Sequence, residues 1–216
     1  MCVNYRPPKA DQLDYFKVKA PSGQGWPSET WQDYAAPIIR GAKNGERSAV
    51  LATYGMVPKN RTPAHVKKYT TMNARAESVG SLRSYSQAWK DTQLCLVPMQ
   101  WYYEPNWETG KHVRWKIGMS DGEPFAVAGL WRYWPEKEGQ SALYSFTQLT
   151  VNADNHDLMK RFHRPGDEKR SLVVVPEQEY DSWLNCNDPE IARSFMTLYP
   201  PKLMSAEPAP REAKQK

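Results

Sequence analysis

Short apolar runs with a two-residue period, cut apart by Gly, Pro and Asn, confine much of this chain to β-strands. Val113, Trp115 and Ile117 alternate with charged or small residues, as a half-buried strand should. Asp121-Gly122 then turns the chain into Pro124 to Trp134, and Leu143 to Val151 follows a further turn. These three runs are expected to form an antiparallel meander. Upstream, Ala36 to Arg40 and Ala49 to Tyr54 flank Lys43-Asn44-Gly45-Glu46. Asn-Gly between two apolar runs is the strongest short hairpin signal. Gln93 to Pro98 and Leu172 to Val175 read as short buried strands.

Helical signals are fewer. Val79, Leu82, Tyr85 and Trp89 fall at three- and four-residue steps, which predicts a helix over Glu77 to Trp89. Asn152 or Asp154 is placed to cap a second helix running to about Phe162. Two short helices are expected near Glu177–Leu184 and Pro189–Met196. Residues 3–30 are rich in turn formers and read as an irregular arm, with a short element near Leu13 to Phe16. No internal repeat or composition break divides the 216 residues, so one domain over residues 2–204 is expected. The Pro-, Ala- and charge-rich stretch 205–216 is expected to be disordered.

The net charge of +5 suits an anionic partner. Nine Trp and twelve Tyr supply core volume and are also a means of stacking on unpaired bases. Cys2, Cys95 and Cys186 are odd in number and widely spaced. That pattern fits a reducing cytoplasm, not a disulfide scaffold, and it lacks the spacing of a metal site. No apolar run reaches the roughly 18 residues of a membrane span.

Met1-Cys2 carries the most specific chemistry. Once Met1 is removed, Cys2 bears a free α-amine and a thiol on adjacent carbons. An internal cysteine lacks this pair, because its nitrogen is an amide. An aldehyde condenses with the amine, and the thiol closes onto the same carbon to give a thiazolidine. The ordinary pKa values, about 7.7–8.0 for an α-amine and about 8.5 for a thiol, leave both partly available near neutral pH.

Several motifs run in a fixed order: Met1-Cys2, Asn73-Ala-Arg75-Ala-Glu77, Cys95-Leu-Val-Pro98, Trp101-Tyr-Tyr-Glu104, Ala128-Gly129-Leu130-Trp131, Thr147 to Thr150, and His163 ahead of Leu172–Val175. In these, residues 2–185 resemble the SRAP domain family, the SOS response-associated peptidases. The resemblance implies an α+β fold: a single domain around a curved antiparallel β-sheet or partial barrel, with short flanking helices. It implies covalent capture of abasic sites in single-stranded DNA through Cys2, with removal of Met1 as the peptidase step and a lyase activity open to the same site. No cofactor and no metal are implied, and a monomer is expected.

The resemblance assigns Cys2, Asn73, Glu104 and His163 to catalysis. Glu104 follows an apolar aromatic stretch, where a buried carboxyl could exchange protons as the sugar opens and water leaves. Asn73 matches a family asparagine that hydrogen-bonds the N-terminal nitrogen or the sugar, and could equally cap a helix. His163 matches the family histidine, with His156 as the alternative because residues 164–170 are longer than the usual pattern. Arg75, Pro37, Tyr54, Lys67 and Lys68 are the candidates for contact with DNA; a salt bridge to Glu77 is the plainer role for Arg75. Cys2-Val3-Asn4 departs from the usual Cys-Gly-Arg, and Tyr54-Gly55 from Trp-Gly. Two other functions fit part of the sequence. One is an amidohydrolase using Cys2 as an N-terminal nucleophile; the other is a non-covalent single-strand-binding module.

Overall fold

The computed structural model describes residues 2–23, 25–41, 45–63, 65–66, 69–137 and 139–211. In chain order the strands are β1 (Tyr5–Arg6), β2 (Ala35–Gly41), β3 (Arg47–Tyr54) and β4 (Asn73–Arg75). Then come β5 (Leu94–Met99), β6 (Trp101–Asn106), β7 (Val113–Met119) and β8 (Phe125–Trp134). The last four are β9 (Leu143–Asn152), β10 (Arg170–Leu172), β11 (Val174–Val175) and β12 (Met204–Pro208). The helices α1 (Ser86–Lys90), α2 (Tyr180–Leu184) and α3 (Pro189–Ser194) are one to two turns long.

The pairings of the larger sheet return on themselves. β9 pairs β3, β3 pairs β2, β2 pairs β5, β5 pairs β8, and β8 pairs β9. The ring closes through a short parallel contact, Thr53 opposite Ser145 and Tyr54 opposite Phe146. β4, β10 and β11 extend this curled sheet, and a second sheet orders β1-β6-β7-β12. The fold is thus α+β, as expected.

Strand alternation splits the apolar residues into two cores. Ile39, Leu94, Leu96, Ala126, Ala128, Leu149 and Val173 face one way. There they meet Leu13 and Phe16 of the arm and Trp183 of α2. Their neighbours Ile38, Cys95, Val97, Val127, Phe146 and Leu172 face the other way, into the curl, against Tyr102 and Ile117 of the second sheet. Successive strand side chains point to opposite faces, which is why β5 is buried at every position.

Gly129 marks the tightest point of the curl. A Cβ there would stand 2.7 Å from the Thr147 carbonyl oxygen and 3.0 Å from Cys95 Sγ. The backbone carbonyl cannot give way without breaking the β8–β9 ladder. Gly129→Ala should therefore destabilise the protein by about 1–3 kcal/mol, as overpacking does. A thermal melt unchanged by that substitution would contradict the closeness of this packing.

Several expectations are corrected. β7 does not join β8 and β9 in a meander; it pairs β6 and β12, and only β8 and β9 form the hairpin. The Asp121-Gly122 turn passes the chain from one sheet to the other, a choice that local pattern does not record. The helix expected over Glu77–Trp89 is helical only from Ser86; residues 76–85 form turns, and Leu82 is exposed. The helix expected after Asn152 is reduced to a 3-10 turn, Met159–Arg161. Leu172–Val175 is split at Val173, whose N–H bonds to β9 while its carbonyl accepts from β8. Residues 205–208 belong to β12, paired to β7 from Ser205 opposite Gly118 to Pro208 opposite Trp115. The β2–β3 hairpin, the two C-terminal helices and the short element at Asp11–Phe16 stand as read.

Candidate active site

Cys2 lies inside the curl and is almost wholly buried, 1% exposed. β1 draws it there: Tyr5 pairs with Tyr102, and the Tyr103 N–H donates to the Asn4 carbonyl. Three further bonds fix the residue. Asn73 Nδ2 donates to the Cys2 carbonyl at 2.7 Å, the Tyr54 hydroxyl lies 3.3 Å from the same oxygen, and Cys2 Sγ donates to the Asn4 carbonyl at 3.3 Å. The Tyr54 hydroxyl also donates to Gln148 Oε1 at 2.9 Å, so its one proton serves two acceptors. Burial, then the nearby Glu104 carboxylate, push the Cys2 thiol far above its ordinary pKa. The resting sulfur is a protonated thiol and needs a base before it can close a ring.

A buried acid–base pair stands beside it. Glu104 in β6 is 3% exposed and His163 is 7% exposed, with His163 Nε2 at 3.2 Å from Glu104 Oε2. His163 holds φ +65°, in the left-handed region that non-glycine residues rarely adopt. Its backbone N–H donates to the Pro105 carbonyl at 2.9 Å, which ties this backbone to the residue after Glu104. Strain of this kind persists where the surroundings over-determine it. No hydrogen bond engages Asn73 Oδ1, Gln148 Nε2 or His163 Nδ1 among the described residues, although each is buried. Polar atoms arranged this way are suited to a polar ligand.

The four residues assigned to catalysis therefore converge. His156, the alternative histidine, is occupied elsewhere. Its Nε2 meets the Tyr199 carbonyl at 2.8 Å, and its Nδ1 accepts from the Leu158 and Met159 N–H groups. It caps the 3-10 turn. Asn73 caps no helix; it sits in β4, opposite Gln148.

The expected DNA contacts fare less well. Tyr54 is fully buried, stacked on Phe146 at 5.1 Å, so it positions Cys2 and cannot serve as a stacking platform. Pro37 is likewise buried in β2, opposite Leu51. Arg75 remains half exposed, paired to Glu168 at 2.8 Å; Glu77 bonds to Arg170 instead. Lys67 and Lys68, like Met1, lie outside the described residues. Gln148 was missed. A glutamine inside the apolar run Leu143–Val151 was the available signal, since a buried amide requires partners. Asn4, in the position where the related pattern has arginine, donates to Glu29, which also holds Arg114 at 2.7 Å. Burial works against that carboxylate, yet the Arg114 bond holds Glu29 below its usual pKa.

Fold and site together define a protein that buries a cysteine near its N-terminus, inside a curled sheet, against a Glu–His pair. The chain belongs to the SOS response associated peptidase (SRAP) family, whose model matches residues 16–214. It is 27% identical over 134 residues to the abasic site processing protein YobE of Bacillus subtilis, covering 61% of this chain and 57% of that one. The same identity holds for the abasic site processing protein YoqW of Bacillus phage SPbeta, with 61% and 56% covered. The match thus spans little more than half of these relatives. A crystal structure of a protein from Bordetella bronchiseptica superposes with a TM-score of 0.86 at 32% identity, covering 96% of this chain and 99% of that one. A Bacteroides thetaiotaomicron protein shares the fold, with a TM-score of 0.73 at 17% identity over 96% and 91% of the two chains.

Proposed function

We propose that this protein captures abasic sites in single-stranded DNA as a covalent thiazolidine on Cys2, once Met1 has been removed. The observation that carries the reading is the anchoring of Cys2 by Asn73 beside the Glu104–His163 pair. The names of the curated relatives support the substrate.

An abasic deoxyribose exchanges with its ring-opened aldehyde. The Cys2 amine adds to that carbonyl carbon, and the carbinolamine loses water to leave an imine. The thiol sulfur then bonds to the same carbon while its proton passes to the imine nitrogen. Aldehyde, amine and thiol thus give one thiazolidine and one water. Glu104 and His163 take and return the protons: at sugar opening, at loss of water, and at deprotonation of the thiol that burial keeps neutral. Asn73 and Tyr54 hold the Cys2 carbonyl, and so aim the amine. Removal of Met1 is the peptidase step; a lyase step would be β-elimination from the imine, in which the adjacent carbon loses a proton and the 3′ phosphate leaves, and water then hydrolyses the imine to free the amine. The protein acts as a cytoplasmic monomer, a compartment suited to its three free thiols.

Incubated with a single strand bearing one abasic site, the protein should give a band that survives boiling in detergent. The matching duplex should react much less, because paired and stacked neighbours hold the abasic sugar in the helix, away from a buried thiol, until they locally unpair. Equal yields from strand and duplex would contradict the single-strand reading.

A further inference from the structure

A cleft of about 590 Å³ opens beside Glu104. Val3, Trp31, Tyr103, Pro105, His112 and Val113 line it, so its walls are mainly apolar and aromatic. The His112 ring is itself stacked on Trp107, with centroids 5.8 Å apart and planes 24° from parallel, which presents it as a flat wall. Tyr103 is backed by the Arg114 guanidinium, 3.3 Å from its centroid and locked to Glu29. Arg211 lies at the rim over the Trp31 ring, 4.6 Å from the centroid. The cleft therefore combines flat rings, a cation over one of them and the Glu104 side of the acid–base pair.

We infer that this cleft is a base subsite: it takes the unpaired base of the nucleotide next to the abasic sugar, stacked on Trp31, with Arg211 turned to that nucleotide's phosphate. The inference rests on the single-strand reading above. Its grounds are the shape and chemistry of the walls. A base with a π-face fits between aromatic rings whatever its sequence, and stacking on aromatics needs few polar contacts. The guanidinium over Trp31 is planar and cationic, and occupies the ring face that a base would take. Exchanging it for a base frees a positive charge where the strand's backbone enters. A base held here places the neighbouring sugar beside Glu104, which lines the same cleft.

Equilibrium binding separates this subsite from the chemistry of Cys2. The probes are single strands with a tetrahydrofuran abasic analogue, which has no aldehyde and forms no adduct. In one set both neighbouring bases are present; in two others the 5′ or the 3′ neighbour is also baseless. Loss of the base on one side should weaken binding roughly five- to a hundredfold, the usual range for one stacked base. Trp31→Ala should weaken binding to the intact-flank strand by a similar factor and bind the baseless-flank strand as the unaltered protein does. Trp31→Phe should retain part of the discrimination. Equal affinity of the unaltered protein for all three strands would overturn the subsite. So would a Trp31→Ala protein that still discriminates, or one that loses affinity for every strand alike. A protein showing the expected pattern without forming adducts on aldehyde-bearing strands would keep the subsite and sink the Cys2 reading; the converse result would do the reverse.

Discussion

Protein carrying an extra residue or two ahead of Cys2 should form essentially no stable adduct with an abasic single strand. Its thiol is intact, but its Cys2 nitrogen is an amide, and a thiol alone yields only a labile hemithioacetal. Cys2→Ala leaves an α-amine that still makes an imine. That adduct is reversible and should accumulate only when borohydride reduces it. Cys2→Ser should behave in the same way, since a hydroxyl closes onto an imine less favourably than sulfur. Cys2 is buried, so each variant also needs its melting temperature measured. A folded, extended protein that gives a stable adduct without reductant would show that the aminothiol is not the reacting group. The rivals separate as well: a simple binding module would give no covalent species with any variant, and in a parallel assay an amidohydrolase would release ammonia from glutamine.

Glu104→Gln should slow crosslinking by about ten- to a thousandfold, the usual contribution of a positioned acid–base group. Glutamine keeps the size and the hydrogen-bonding capacity of Glu104 but cannot take and return a proton. The His163 ring, 3.2 Å away, would lose its carboxylate partner and with it the route by which protons leave the buried thiol. Affinity for a strand carrying the inert abasic analogue should be nearly unchanged, because glutamine fills the same space beside the sugar and can still hydrogen-bond to it. A crosslinking rate equal to that of the unaltered protein would remove Glu104 from the mechanism. Equal losses in rate and affinity would mark it as a structural residue.

The reach of sequence reading here follows the range of the forces involved. The β2–β3 pairing is local, between two apolar runs only a few residues apart in the chain, so it was legible, although residues 42–44 of the expected turn lie outside the described residues. The convergence of Cys2, Asn73, Glu104 and His163 came from motif order, since the residues are far apart in the chain. The strand partner of β7 was illegible because alternation in Val113–Met119 says which face is buried, not which sheet receives it. The helix expected over Glu77–Trp89 was cut back to its last turn, from Ser86, because tertiary contacts overrode the period. The Ala76 N–H bonds to the Thr150 carbonyl, and Arg193 Nη1 to the Ala76 carbonyl, which hold that stretch in turns against β9 and α3. Tyr54 was misjudged for a related reason. An aromatic at the end of a strand reads equally as platform or core, and closure of the curl through Phe146 decides for core.

The measurement closest to the central claim is the intact mass of the protein before and after reaction with an abasic single strand, followed by mapping of the modified peptide. The starting mass should lack Met1, and the product should equal protein plus strand minus one water, with the strand on the peptide that begins at Cys2. A product retaining Met1, a mass with no water lost, or a strand carried by an internal peptide would contradict it.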